Sequence, residues 1–380
     1  MAYEHKKTAL VLSGGGSRGA YEAGVWQALA ETGTGIDIVT GASVGAINGA
    51  MVCQGDLEAT IALWREIETH MVFDVPEGGQ PLDYAREVIL RGGVSAGGLK
   101  KLLEKYIDED RVRRSPIEYG LVVVEKLGLK PHRLFREDIP RGRLIDYIMA
   151  SSSVFPALHA YEIDGRDYID GGYADVLPVG MALAKGAGRV IAVKLNALGI
   201  LNSQPLKEAP DLTVIESKWE LGSTLIFDVH NSRRIMRLGY LEAMKALGVF
   251  AGSYYTFAAG AFGKADVKLA DAAAYVFGLD PALIYTRELF LEKLAAVCLP
   301  ARKQLEGTIA GFKRDPLNIP GTAGLIRRLR ELSNAQIICF LIADNLKEKG
   351  AGSLFLSRSL VRLFSQQLAA ARFLVKYDLA

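Results

Sequence analysis

Short apolar runs alternate with helical stripes through the first part of the chain. Thr8-Ala9-Leu10-Val11-Leu12 is an almost uninterrupted apolar run, the pattern of a strand buried on both faces. Residues 18–31 follow with helical spacing, so that Ala20, Val25, Trp26 and Leu29 share a face. Ile36-Asp37-Ile38-Val39 predicts a second strand ending at Gly41, and helices are expected over Ala46–Cys53 and over 57–72. This alternation predicts an α/β layered fold with a largely parallel sheet.

Further along, 74–98 is glycine-rich and reads as a loop, a candidate mobile cover, followed by a short helix over 99–107 capped by Ser95. Leu121–Val124 predicts a strand and 143–151 a helix. His159–Ile163 and Arg166–Ile169 flank Asp164-Gly165, a two-residue hairpin signal. A helix over 177–185 and a strand over Val190–Leu195 come next. The polar, proline-bearing stretch 201–210 is the expected linker, dividing a catalytic domain (1–200) from a mainly helical region (211–380). Within the latter, 246–263 is uncharged and long enough to test as a membrane span. Its four glycines insert poorly, and Ser-Tyr-Tyr-Thr-Phe reads better as a short strand.

Composition narrows the function classes. Three widely spaced cysteines (Cys53, Cys298, Cys339) exclude a disulfide scaffold and a Cys-x-x-Cys metal site, and they suit a reducing compartment. The charged start, with only a short apolar run behind it, reads as carrying no export signal, so a cytoplasmic protein is expected. A net charge of +2 argues against a protein devoted to nucleic acid. Glycine is the excess: 40 of 380 residues, against a typical ~7%, and ten of them fall in the first 50 positions.

Two of those clusters carry chemistry. Gly14-Gly15-Gly16-Ser17-Arg18-Gly19 formally fits the dinucleotide fingerprint, yet the acid that should cap the second strand, Asp37, lies at that strand's start. Consecutive glycines after a strand can instead turn free N–H groups towards an oxyanion, or simply form a structural turn. Gly41-Ala42-Ser43-Val44-Gly45 is a G-x-S-x-G nucleophile elbow in its strand-to-helix setting, with Ser43 as candidate nucleophile. Neighbouring parallel strands would bring both clusters to one sheet edge. None of the histidines His5, His70, His132, His159 and His230 has a setting that marks it as the base. Asp170, in Asp170-Gly171-Gly172, is the better candidate, although Asp-Gly is also a common turn signal.

Taken in order, Gly-Gly-Gly-x-Arg-Gly, G-x-S-x-G and Asp-Gly-Gly resemble the pattern of patatin-like phospholipases. The run Ala150-Ser151-Ser152-Ser153 with Pro156 also resembles the segment preceding their Asp-Gly-Gly. The resemblance covers about residues 7–200 and implies a three-layer α/β/α fold with a Ser–Asp dyad. It implies Ser43 as nucleophile, Asp170 as its partner, the N–H groups of Gly14, Gly15 and Gly16 as the oxyanion hole, and Arg18 as support for that loop. Gly41 and Gly45 would shape the elbow. No cofactor and no catalytic metal are expected. The substrate would be a phospholipid or related lipid ester. An acyltransferase or thioesterase using the same serine, and a phosphate-binding protein using the Gly14–Gly19 loop, are the alternatives.

Charge is uneven. Residues 301–380 hold 13 Lys/Arg against 6 Asp/Glu. Over 353–377, Arg358, Arg362, Arg372 and Lys376 form one stripe opposite a broad apolar side. Such a helix either packs on the protein body or lies on an anionic membrane, and 353–380 is the candidate for peripheral membrane contact.

Overall fold

The apolar runs become strands of a single eight-stranded sheet in the computed structural model, which describes residues 6–74, 94–314, 322–332 and 334–379. In chain order these are β1 (Thr8–Leu12), β2 (Ile38–Ala42), β3 (Glu118–Glu125) and β4 (Lys130–Phe135). Then come β5 (Tyr161–Ile163), β6 (Arg166–Asp170), β7 (Arg189–Lys194) and β8 (Leu212–Glu216). Their order by hydrogen-bonded pairing is β5-β6-β3-β2-β1-β7-β8, with β4 also paired to β3, along the edge opposite β2 and β6. β3, β2, β1, β7 and β8 run parallel, while β4, β5 and β6 are antiparallel additions. The class is therefore α/β with a mostly parallel sheet.

β1 and β2 are buried at every position, because helices cover both faces. On one face Ala9, Val11 and Ile38 pack with Val179 and Ala182 of the helix Val179–Ala184. The alternate residues, such as Leu10 and Val39, are equally buried and serve the other face. There α1 (Gly19–Glu31) and α2 (Val44–Gln54) are packed together, with Gly49 of α2 seated over the Val39 side chain.

β2 runs to Ala42, past the glycine expected to end it, and α3 (Leu57–Glu66) stops at an extended Ile67 instead of continuing to 72. Asp164 and Gly165 both adopt positive φ (52° and 78°), which gives the β5–β6 turn the twist its flanking strands require. Ser95 Oγ accepts the Gly97 N–H at 3.3 Å at the start of the helix Gly97–Tyr106. Most of the loop expected over 74–98 lies outside the described residues.

The division expected at 201–210 differs from the one the structure makes, between Ala246 and Leu247. Ser203–Glu208 is a short helix and β8 extends the sheet next to β7. The helix Val229–Ala246 then lies directly on α1. A Cβ on Gly24 would collide with the Met236 carbonyl, and one on Gly239 with that of Tyr21, so the two backbones meet at glycines.

The second unit, Leu247–Ala380, is mainly helical around an aromatic core that includes Phe257, Phe290 and Phe373. Thr256–Phe257 is a short strand paired with Ile284–Tyr285. No helix of the described residues is long and apolar enough to cross a membrane. The stripe expected as one helix over 353–377 is split at Phe364 into Arg358–Leu363 and Ser365–Lys376. Its apolar residues Leu360, Leu368, Phe373 and Leu374 are buried, and Lys376 pairs with Asp266 at 2.7 Å. Arg358, Arg362 and Arg372 are exposed.

Candidate active site

The site is built on β3. β2 ends with Ala42 opposite Val122, and Ser43 follows. On the same strand the next position, Val123, pairs with Asp170, the last residue of β6. β4 occupies the opposite edge of β3 over Gly120–Glu125, so β2 and β6 must share the remaining edge, end to end. This register places the serine and the carboxylate side by side, although 126 residue positions separate them in sequence.

Ser43 sits at φ 55°, ψ −128°, a conformation that side-chain-bearing residues rarely adopt. The neighbouring backbone holds it there. Its N–H donates to Ser151 Oγ at 3.0 Å, and the Ser151 hydroxyl donates to the Val122 carbonyl at 2.7 Å. Gly41 and Gly45 are needed because the turn folds back on itself. A Cβ on Gly41 would strike the Gly45 carbonyl, and one on Gly45 would press against the carbonyl of Leu12. Gly45→Ala is therefore expected to cost at least about 2 kcal/mol of stability, read as a lower melting temperature. An unchanged melting temperature would refute the crowding argument. α2 begins immediately after Ser43, so the positive end of its dipole faces that residue.

Asp170 is buried, and burial raises its pKa from about 3.8 to about 6. The Ser43 hydroxyl and the Gly172 N–H act in the opposite direction. Oδ1 accepts the Gly172 N–H at 2.7 Å. Oδ2 is buried with no aligned hydrogen bond, so the Ser43 contact is a close approach short of a full bond. Such loose geometry is common before substrate binds.

In the glycine loop, the Gly14 N–H already donates to the Val176 carbonyl at 3.0 Å and Ser17 donates to Thr224 at 2.9 Å. This corrects the expected oxyanion hole. Gly14 anchors the loop, and Gly15 and Gly16 retain N–H groups that no described residue accepts. Gly14, Gly15, Gly16, Ser43 and Asp170 line one cleft. Arg18 points away from it. Its guanidinium donates to the carbonyls of Gly222, Leu195 and Asn196 at 2.7–3.1 Å, tying the loop to the segments after β7 and β8.

Sequence reasoning missed the support behind this loop. Glu22 is fully buried. Its Oε1 accepts the Ser13 N–H at 2.8 Å, and Oε2 accepts Asn48 Nδ2 at 2.9 Å. Burial outweighs both bonds and lifts its pKa to about 8, so it is largely protonated at neutral pH. Asn48 in turn accepts the Trp64 indole N–H at 3.0 Å. The signal was available: Glu22 shares the helical face of Val25 and Leu29, where an acid needs buried partners.

A second pocket opens from Ser43 and Gly16 and is almost wholly apolar. Ile47, Met51, Leu63, Trp64, Leu103 and Phe227 are among its walls. No described histidine lines either space. His70 lies beside Glu68 and His132 beside Glu125. Among the described residues there is also no cluster of His, Cys, Asp and Glu that could hold a metal ion.

The family model of patatin-like phospholipases matches residues 10–183, a span that contains the glycine loop, Ser43 and Asp170. Residues 10–183 belong to the patatin-like phospholipase family. An uncharacterized NTE family protein of Mycobacterium tuberculosis is 29% identical over 242 residues, covering 60% of each chain. Patatin-like phospholipase domain-containing protein 7 of Rattus norvegicus is 25% identical over 264 residues, 65% of this chain and 18% of its own length. The chain thus spans 60% or less of these relatives. Among solved structures, VipD from Legionella pneumophila aligns over 99% of this chain and 92% of its own, at 15% identity and a TM-score of 0.45. The patatin-like match stops at residue 183, whereas β7, β8 and the helix Val229–Ala246 complete the same compact unit.

Proposed function

We propose that this chain is a serine lipid acyl hydrolase that cleaves carboxylic esters of phospholipids or related lipids through a Ser43–Asp170 dyad. The observation that carries the reading is a strained serine beside a buried carboxylate, at the mouth of an apolar pocket. Asp170 takes the Ser43 proton as Oγ attacks the ester carbonyl. The N–H groups of Gly15 and Gly16, with the α2 dipole behind Ser43, stabilise the oxyanion. Collapse of the tetrahedral intermediate expels the alcohol, which receives the proton from Asp170 and leaves acyl-Ser43. Water then attacks acyl-Ser43 as its proton passes to Asp170, and collapse breaks the bond to Ser43 Oγ, which takes that proton back as the fatty acid leaves.

The phosphate-binding alternative is disfavoured by Arg18, whose guanidinium is engaged by backbone carbonyls and turned from the cleft. Leu360, Leu368 and Leu374 of 353–377 are packed inward, and what that segment offers to an anionic lipid surface is Arg358, Arg362 and Arg372 together with the exposed Leu354, Val361 and Leu363.

Two readouts test the proposal together. A fluorophosphonate probe is expected to label Ser43, and kcat/KM for p-nitrophenyl esters is expected to rise with acyl length as the pocket fills. Leu102, half-buried in the pocket wall, sets up the control. Leu102→Trp should lower kcat/KM for a dodecanoate ester by about tenfold while leaving acetate within about twofold, because each methylene buried contributes ~0.8 kcal/mol. A labelled serine with a flat chain-length profile would reject the acyl pocket. No labelling would reject the hydrolase.

A further inference from the structure

The four most exposed large apolar side chains among the described residues are Leu198 (98%), Leu127 (87%), Leu129 (63%) and Ile200 (58%). Single exposed leucines are ordinary on protein surfaces. Four that share one edge of a sheet are not. β3 and β7 are parallel members of the sheet, so the segments after their carboxyl ends emerge on the edge that also carries the glycine loop and Ser43. Leu127 and Leu129 form the tip of the β3–β4 hairpin, and Leu198 and Ile200 belong to the segment after β7.

The hairpin stands proud of the site. β3 passes Ala42 at the level of Val122 and continues to Glu125, which at ~3.3 Å per residue lifts the tip about 10 Å beyond Ala42, the residue before Ser43. It also adjoins the cleft. Lys126 Nζ lies 4.7 Å from the centre of the Phe155 ring, and Phe155 lines the cleft together with Leu198 and Ile200. The tip reads Lys126-Leu127-Gly128-Leu129-Lys130: two outward leucines between two lysines. Leu129 holds φ 50°, in the left-handed region where Gly or Asn is favoured. A large apolar residue that is both exposed and backbone-strained contributes nothing evident to folding.

We infer that this rim, the hairpin tip with the Leu198–Leu201 segment, docks the cleft onto an anionic phospholipid surface. The inference rests on the lipid-hydrolase reading above and names the surface from which the site draws its substrate. The leucines enter the interfacial layer and the exposed Lys130 lies among the lipid phosphates, while Lys126, paired with Asp167 at 3.5 Å, exchanges that partner for a phosphate.

The test is co-sedimentation of the full chain with vesicles of phosphatidylcholine containing phosphatidylglycerol, and with pure phosphatidylcholine, comparing wild type with Leu127→Glu/Leu129→Asn. Wild type is expected to bind the anionic vesicles at least about tenfold better than the double variant, and better than it binds neutral ones. Turnover of soluble p-nitrophenyl butyrate should be unchanged, and the melting temperature should be equal or higher because Asn suits the φ of position 129. Equal sedimentation of the two proteins, or no binding by wild type, would overturn the docking rim. So would a change from dimer to monomer in the double variant with vesicle binding intact, since the leucines would then meet a second copy. Absent butyrate turnover in wild type would instead overturn the hydrolase reading, leaving the vesicle result to stand on its own.

Discussion

Ser43→Ala is expected to abolish ester turnover, by about a thousandfold or more, while the protein remains folded. Of the hydroxyl-bearing residues that line the cleft, Ser43, Tyr173 and Thr224, Ser43 is the one whose hydroxyl approaches the Asp170 carboxylate. The folded state keeps its other supports, because the Ser43 N–H and not its hydroxyl bonds Ser151, and the elbow is shaped by Gly41 and Gly45. A companion substitution sharpens the test. At φ 55°, ψ −128° a side chain is strained and glycine is not, so Ser43→Gly should be inactive yet more stable than wild type by about 1 kcal/mol. Differential scanning calorimetry alongside p-nitrophenyl butyrate kinetics reads both quantities. A folded Ser43→Ala protein with retained turnover would reject Ser43 as nucleophile. A Ser43→Gly protein that melts lower than wild type would show that the strain is not released.

The second large effect belongs to Asp170. Asp170→Asn should lower kcat/KM by about a thousandfold, since an amide cannot take the serine proton. In wild type the base must be ionised, so kcat/KM should fall about tenfold per pH unit below the Asp170 pKa of about 6 and level off above it. Stability responds with the opposite sign. The folded pKa lies above its ordinary value near 3.8, so the fold favours the protonated carboxyl, and that contribution is complete below about pH 4. It is lost as pH rises through about 6, amounting to about 3 kcal/mol at pH 8. Asp170→Asn, neutral at every pH, should therefore melt above wild type at pH 8 and close to it at pH 4. A flat wild-type rate profile between pH 5 and 8 would remove Asp170 from the role of base. Loss of activity in His159→Ala or His230→Ala alone would restore a histidine to it.

Much of this candidate site was legible because each part of it is a local motif with its own backbone requirement. The elbow needs small residues on both sides of Ser43, the β5–β6 turn needs Asp164-Gly165, and Asp170 needs glycines behind it. What escaped was non-local. Whether the Gly14 N–H is free depends on where Val176 falls, 162 positions away in sequence. β4 was not anticipated because Lys130–Phe135 is a polar strand with largely exposed residues and lacks a clean alternation. The boundary at 201–210 was misplaced for a related reason: proline and polar residues mark a loop, and only pairing with β7 reveals that β8 belongs to the sheet. Gly24 and Gly239 could not be linked from sequence, since neither signals that the other helix crosses at that point. The stripe over 353–377 kept its two-sided pattern, but the break at Phe364 obeys packing inside the second unit.

The shared edge of β3 has a mechanical consequence. The proposed nucleophile and base are carried by different strands, yet Ala42 and Asp170 are pinned to adjacent residues of one strand, Val122 and Val123. When the sheet flexes or β3 slides along its length, both side chains are displaced together, so their spacing is insulated from the motion of the frame. The oxyanion loop has no such common mount, because it hangs from β1 and is braced by Val176, Thr224 and Arg18. Under the proposed mechanism, thermal fluctuation should therefore alter how the glycine loop meets an oxyanion before it alters the spacing of Ser43 and Asp170.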